Sequence, residues 1–264
     1  MKKTIVALLS VLLASGCFQI DQAINLQKDL SGTADFHIGV NFEPMIMIMA
    51  QFAHDMEGKK GPVTKEELAK AKADFKKSEK KTEDSKPPSL AEMNKDMPEG
   101  VKLLDVKVKE REFALDTDFK FAFDKLQRLV GVKLPSSKKG EGEGQGDPTK
   151  KNVIDSPFEG LELVEKGDTI TLSTKPLNPA QEVKEEAKEG GPKMDESTEK
   201  MMKDAFKDLR VTYRITAPFT VVSHNATRKE GNTLVWEYTM ERFEELSKSK
   251  MSAEDLGVRV TYRR

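Results

Sequence analysis

From residue 18 the chain alternates. Phe18, Ile20, Ile24 and Leu26 fall on even positions, the period of a strand with one buried face. A turn-like Lys28-Asp29-Leu30-Ser31-Gly32 follows, and Phe36, Ile38, Val40 and Phe42 resume the alternation, which predicts a hairpin. Pro44 pre-sets φ for a helix start. Met45, Ile48, Met49, Phe52 and Met56 then recur at three- and four-residue spacing, predicting a helix over 45–57 with that stripe packed on the sheet. Ile46, Met47 and Ala50 make its first turns apolar nearly all round. Gly58 and Gly61-Pro62 end it, and Thr64-Lys65-Glu66-Glu67 is a capping box opening a second helix to about residue 80. Only Leu68, Ala71 and Phe75 give that helix an apolar stripe. Ser89-Leu90-Ala91-Glu92 is another capping box, for a short helix. The span 44–97 therefore reads as a helical insertion in a β pattern.

The β pattern resumes at Val101, Val106 and Val108, and then on odd positions at Phe113, Leu115, Phe119, Phe121 and Phe123. Asp124 is placed to cap a short helix carrying Leu126, Leu129 and Val130. The low-complexity stretch 135–152 and the charged, Gly/Pro-broken stretch 176–196 predict flexible loops. Between them, 161–165 and 169–174 predict a hairpin about Lys166-Gly167-Asp168. An amphipathic helix is expected over 198–209, with Met202, Ala205, Phe206 and Leu209 inward. Strands are expected at 210–216, 219–223 and 232–239, the last placing Leu234, Trp236, Tyr238 and Met240 on one face. A short helix at 242–246 and a strand at 258–263 close the chain. About ten strands, mostly in hairpins, predict an α+β fold. Its sheet is mainly antiparallel and curved, in a single domain over 17–264.

Composition narrows the function classes. Charged residues make up 34% and hydrophobic residues 37%, so the core is modest and some segments should be disordered. With 44 Lys and Arg against 45 Asp and Glu, the chain lacks the basic excess of a nucleic-acid binder, and none is expected as a partner. One cysteine excludes a disulfide framework and a thiolate metal cluster. His37, His54 and His224 have no metal-ligand spacing; no metal and no cofactor is expected. His224, beside Asn225 in a loop, is the histidine to inspect.

No nucleophile elbow, zinc helix, P-loop or dinucleotide fingerprint occurs, so the chain is not expected to be an enzyme. Three Ser-x-x-Lys matches, at Ser78, Ser136 and Ser247, lie in lysine-rich segments without companion motifs and read as chance. Asp116 and Asp118 share a strand face opposite Leu115 and Phe119, which reads as solvated surface rather than a cation site.

Two features remain as candidate sites. Methionine makes pliable apolar surface, so Met45, Ile48, Met49 and Phe52 are the candidates for an apolar ligand. Arg210-Val211-Thr212-Tyr213-Arg214 recurs as Arg259-Val260-Thr261-Tyr262-Arg263. If the two strands are neighbours, Arg210, Arg214, Arg259 and Arg263 form a basic patch suited to anionic head groups. Otherwise the repeat is two strands with buried Val and Tyr.

The N-terminus carries an address. Lys2 and Lys3 precede an apolar run over 4–13, the length of a signal-peptide core and too short to span a bilayer. Leu13-Ala14-Ser15-Gly16-Cys17 follows and resembles the lipobox of bacterial lipoproteins, with Ala14 where leucine is commoner. The resemblance implies that 1–16 is a signal peptide cut before Cys17, and that Cys17 carries the acyl chains, palmitate among them. Two or three such chains hold a protein stably on a membrane. Phe18 stands where an Asp resembles an inner-membrane retention signal, so the outer membrane, facing the periplasm, is the expected location.

The hairpin directly after Cys17 and the run Pro218-Phe219-x-Val221…His224-Asn225-Ala226…Gly231-Asn232-Thr233-Leu234-x-Trp236 look like the LppM-type bacterial lipoproteins. That resemblance implies a β-rich domain linked to lipid binding. The long helical insertion and the missing C-terminal membrane helix depart from the pattern, and no site residues carry over. The reading is a non-enzymatic, lipid-anchored envelope domain that binds an apolar or amphiphilic ligand or a partner protein. The alternative is a structural or assembly lipoprotein, and a hydrolase of unfamiliar type stands third.

Overall fold

The computed structural model describes residues 17–80, 88–134, 157–175, 207–242, 245 and 257–264. The signal segment 1–16, the stretches 135–152 and 176–196, most of the helix expected over 198–209 and the core of the one at 242–246 lie outside them.

The fold is α+β and mainly antiparallel. Strands β1 (Cys17–Leu26) and β2 (Gly32–Asn41) form the first hairpin, in the alternation read from the sequence. Ile24, Leu26, Ala34, Phe36 and Ile38 are buried. At its turn Leu30 adopts a left-handed φ of 67° and buries its side chain. The Asp29 carboxylate accepts from the Ser31 amide at 3.1 Å and holds that turn. Helices α1 (Glu43–Met56), α2 (Lys65–Lys80) and α3 (Leu90–Met93) follow. Next come β3 (Val101–Arg111) and β4 (Ala114–Phe123), and then a 3-10 turn over Leu126–Gly131. That turn buries Leu126 and Leu129 but leaves Val130 exposed, and Asp124 does not cap it: the carboxylate pairs instead with Arg128 at 3.2 Å.

After β5 (Glu162–Lys166) and β6 (Thr169–Ser173) come β7 (Arg210–Thr216), β8 (Thr220–His224), β9 (Arg228–Glu230), β10 (Thr233–Thr239) and β11 (Arg259–Arg263). The expected single sheet is two sheets. The seven-stranded one runs β3-β4-β2-β1-β7-β10-β9, and the four-stranded one β5-β6-β11-β8. Every pairing is antiparallel except β1 with β7, which places Ile20 beside Val211 and Ile24 beside Ile215.

Both sheets line one core. Phe121, Leu234 and Trp236 come to it from the larger sheet and Leu172, Val260 and Tyr262 from the smaller. Phe158 enters from the loop before β5 and packs edge-on against Phe121, ring centroids 5.8 Å apart. Gln22 is the polar residue that the alternation places inward on β1. It is buried and donates to the Pro157 carbonyl at 2.5 Å, so it satisfies the loop that carries Phe158.

Candidate functional site

Cys17 and the start of the helix that carries the apolar-ligand candidates lie at one end of the seven-stranded sheet. Cys17 opens β1, and its register partner is Asn41, the last residue of β2. Asn41 in turn pairs with Ala114 at the start of β4. Two residues past Asn41, α1 begins. The Phe42 amide donates to the Phe113 carbonyl at 2.8 Å and ties the helix start to the β3–β4 turn. Phe75 of α2 then joins Phe42 and Phe113, with ring centroids 5.3 and 6.4 Å away, and the Lys72 and Lys76 ammonium groups sit over the Phe113 ring.

Helices α1 and α2 make a hairpin with its own small interior. α1 turns Ile46, Ile48, Ala50, Gln51 and His54 inward. The polar pair is largely bonded, with His54 Nε2 buried without a partner among the described residues. Gln51 donates to the Gly61 carbonyl at 3.0 Å and accepts from the Val63 amide at 2.9 Å. His54 donates through Nδ1 to the Glu67 carboxylate at 3.0 Å. Glu67 also receives Lys59 at 2.7 Å and the Thr64 amide at 2.9 Å. These donors, Lys59 first, hold the Glu67 carboxyl well below the usual carboxylate range. Glu67 was legible as a capping-box residue; its second duty toward His54 was not.

This arrangement reverses the expected face of α1. Met49, Phe52 and Met56 do not pack on the sheet; they are 44%, 40% and 64% exposed, and Met45 is half-buried. At spacings of four, three and four residues these side chains share one helix face, with the exposed Ala53 beside them and no charge among them. The helix is apolar on two sides, and periodicity selected the one that the hydrogen-bonded Gln51 and His54 leave outside. Of the four ligand candidates, Met45, Met49 and Phe52 lie on this outward face, and Ile48 is buried.

The basic patch is not formed. The two copies of the repeat are not neighbours: Arg210 and Arg214 lie on β7 of the larger sheet, Arg259 and Arg263 on β11 of the smaller. Arg210 pairs with Glu237 at 2.7 Å, Arg214 with Asp21 at 3.5 Å and Arg263 with Asp168 at 3.6 Å. The repeat reflects burial of Val211, Val260 and Tyr262 in the shared core.

The remaining polar candidates are engaged locally. Asp118 accepts from His37 at 2.7 Å, and Asp116 pairs with Arg111 at 2.7 Å. His224 accepts from the Ala226 amide at 3.1 Å. Ser78 donates to the Phe75 carbonyl at 2.6 Å; Ser136 and Ser247 lie outside the described residues. Burial pushes the phenols of Tyr213, Tyr238 and Tyr262 up, that of Tyr238 to about 12, so they stay protonated at neutral pH. Among the described residues no three His, Cys, Asp or Glu side chains group as a metal site, and no helix is long and apolar enough to cross a membrane.

The residue whose duty sequence reasoning missed is Asn225. Its carboxamide oxygen accepts from Trp236 Nε1 at 2.7 Å and from the Arg259 amide at 2.8 Å, and its nitrogen donates to the Gly257 carbonyl at 2.8 Å. The Asn225…Trp236 part of the motif is thus a tie between the two sheets.

No family model and no curated protein sequence matches the chain. Among solved structures the chain is similar to the folded domain of LppM from Mycobacterium tuberculosis, determined by NMR. The identity is 10%, the match covers 94% of this chain and 91% of that chain, and the TM-score is 0.42.

Proposed function

We propose that this chain is a bacterial envelope lipoprotein. It is held on the membrane by acyl chains on Cys17, catalyses no reaction, and works by binding through apolar surface. The observation that carries this reading is a coincidence of two positions. The lipobox-like run ends at Cys17, and Cys17 is itself a paired strand residue, opposite Asn41 of β2. Cutting before that residue leaves β1 and its described pairings intact and sets the sheet directly on its anchor, with no spacer between lipid and strand. The engaged state of the titratable groups supports a binding role over a catalytic one. His37, His54 and His224 sit on three different elements, each with its own partner, and the arginines of the repeat are divided between two sheets. Phe18 after the cysteine favours the outer membrane, facing the periplasm.

Labelling cells with a radioactive or clickable palmitate tests the anchor. The full chain should take up label, and Cys17→Ser should not. Label on the Cys17→Ser chain, or none on the wild type, would remove the basis of the proposal. Native mass spectrometry of the Cys17→Ser protein with organic extraction tests the binding role. Co-purified lipid at fixed stoichiometry supports a bound amphiphile, and an apo mass shifts the role to protein contact.

A further inference from the structure

The outward face of α1 has a definite occupant. We infer that Met45, Met49, Phe52 and Met56 insert into the surface of the same bilayer that holds the acyl chains of Cys17, making α1 a second, in-plane contact with the membrane. The inference rests on the reading of Cys17 as the anchor and extends it to a surface.

Three observations point to lipid rather than to protein. The first is position. Cys17 and Asn41 are register partners, and α1 starts two residues beyond Asn41. Neighbouring strands lie about 5 Å apart. The start of α1 is therefore within roughly two strand spacings of the point where the acyl chains leave the protein, so the helix sets out from the membrane-proximal end of the sheet. The second is chemistry. The face is a row of methionines and a phenylalanine without a charge, on a helix whose other side buries Ile46, Ile48 and Ala50 with Gln51 and His54, and whose carboxylates Glu43 and Asp55 lie off that row. In water so apolar an outer stripe is unusual; at the boundary of head groups and acyl chains it is the expected one. The third is charge. α2, packed beside α1, carries six lysines and four carboxylates among its sixteen residues; Lys72, Lys76 and Lys77 pair with Glu43, Glu112 and Asp74, and the helix keeps a net positive charge. A lysine-rich flank beside an apolar stripe matches an anionic lipid surface.

The contact also explains a pairing of strengths. The acyl chains fix the protein on the membrane but leave it free to swivel about one point. A helix face seated next to that point fixes which way the sheets stand.

The test places a tryptophan on the face. Trp236, the chain's one native tryptophan, is 1% exposed in the core and supplies a constant background. Full-length protein carrying Phe52→Trp is matured in a bacterial host and reconstituted into vesicles of phosphatidylethanolamine and phosphatidylglycerol, part of it brominated on the acyl chains. Val222→Trp, on exposed β8 of the other sheet, is the control. An apolar face buried about 5–10 Å deep brings residue 52 within reach of the bromines, and roughly half of the added emission should be lost while residue 222 is unaffected. Intact mass read on the same sample reports lipid on Cys17. Lipidated protein with no quenching at residue 52 overturns the helix contact and leaves the anchor standing. Absence of both added mass and quenching overturns the two together. Concentration-dependent self-association in detergent that Met49→Ser with Met56→Ser abolishes would assign the face to a second copy, and overturns it as well.

Discussion

Trp236 Nε1 donates to the carboxamide oxygen of Asn225 at 2.7 Å, a polar tie between the larger sheet and the smaller across the core they share. Trp236 belongs to β10, and Asn225 follows β8 and also accepts from the Arg259 amide of β11. Asn225→Ala leaves a buried indole N–H without a partner, a cost of about 1–3 kcal/mol. Tyr262→Phe serves as the contrast. The Tyr262 hydroxyl is buried and has no hydrogen-bond partner among the described residues, so its removal should be neutral or slightly stabilising. Urea unfolding of the two variants decides the matter. An Asn225→Ala midpoint equal to wild type would show that this tie contributes nothing measurable to stability.

Gln22 is a second polar residue with a structural duty. Replacing it by Leu keeps the volume and removes the donor to the Pro157 carbonyl, which should cost about 1–3 kcal/mol. The loss should be felt first in the loop that carries Phe158. Hydrogen exchange at Leu161, whose amide donates to the Phe158 carbonyl at 3.2 Å, should quicken before exchange in β1 does. Uniform change across the sheet would contradict a local role.

The α1–α2 hairpin should loosen in acid. Glu67 has its carboxyl held below the ordinary value of 4.5, so the stabilisation it contributes is complete above that value. The contribution is lost progressively as pH falls from about 4.5 toward the depressed folded value. Amide exchange in α1 measured from neutral pH down to pH about 3 should accelerate relative to that in β2. In Glu67→Gln, which cannot titrate there, the relative rates should be flat and already raised at neutral pH. An acid response in Glu67→Gln equal to that of wild type would place the sensitivity elsewhere.

Two glycines should respond differently to the same change. A Cβ built on Gly32 would collide with the Asn25 carbonyl across the first hairpin, whereas one on Gly231 meets nothing within 4 Å. Gly231 pays only for its left-handed φ of 61°, so Gly231→Ala should cost about 1–2 kcal/mol. Gly32→Ala forces the backbone of β1 away from β2 and belongs with the rare changes that cost more than about 4 kcal/mol. Thermal melts of the two variants would reverse this ranking if the hairpin adjusted freely.

Strand faces were legible wherever one side of a strand meets water. Ile24 and Leu26 of β1 and Phe36 and Ile38 of β2 are buried as read, Phe18, Ile20 and Val40 are half-buried on the same faces, and β7 has the bounds its pattern predicts. What failed was whatever depends on residues distant in sequence. The repeat at 210–214 and 259–263 announces two similar strands but not which sheet each joins. The parallel pairing of β1 with β7 has no local signature, because hairpin logic accounts only for neighbours in sequence. On α1 the pattern identified a helix and mistook its inside. Two apolar faces compete there, and the decision falls to Glu67, Gly61 and Val63, whose bonds to His54 and Gln51 draw the other face inward. Asn225 was named as part of a motif, but its duty was hidden for the same reason: an asparagine in a loop shows its worth only once Trp236 is beside it.

The two edges of β1 are completed at different moments in the life of the chain. β2 arrives after a short turn, but β7 joins across a gap illustrated by Asp21 and Arg214, which touch although 193 residues apart in sequence. A chain synthesised N-terminus first therefore shows a bare strand edge through most of its synthesis, and a bare edge invites pairing with whatever strand is near. Return of residues 210–216 to that edge is a long-range closure of the slow kind. For this fold the vulnerable interval is the wait for β7, and a chaperone that shields β1 would act then.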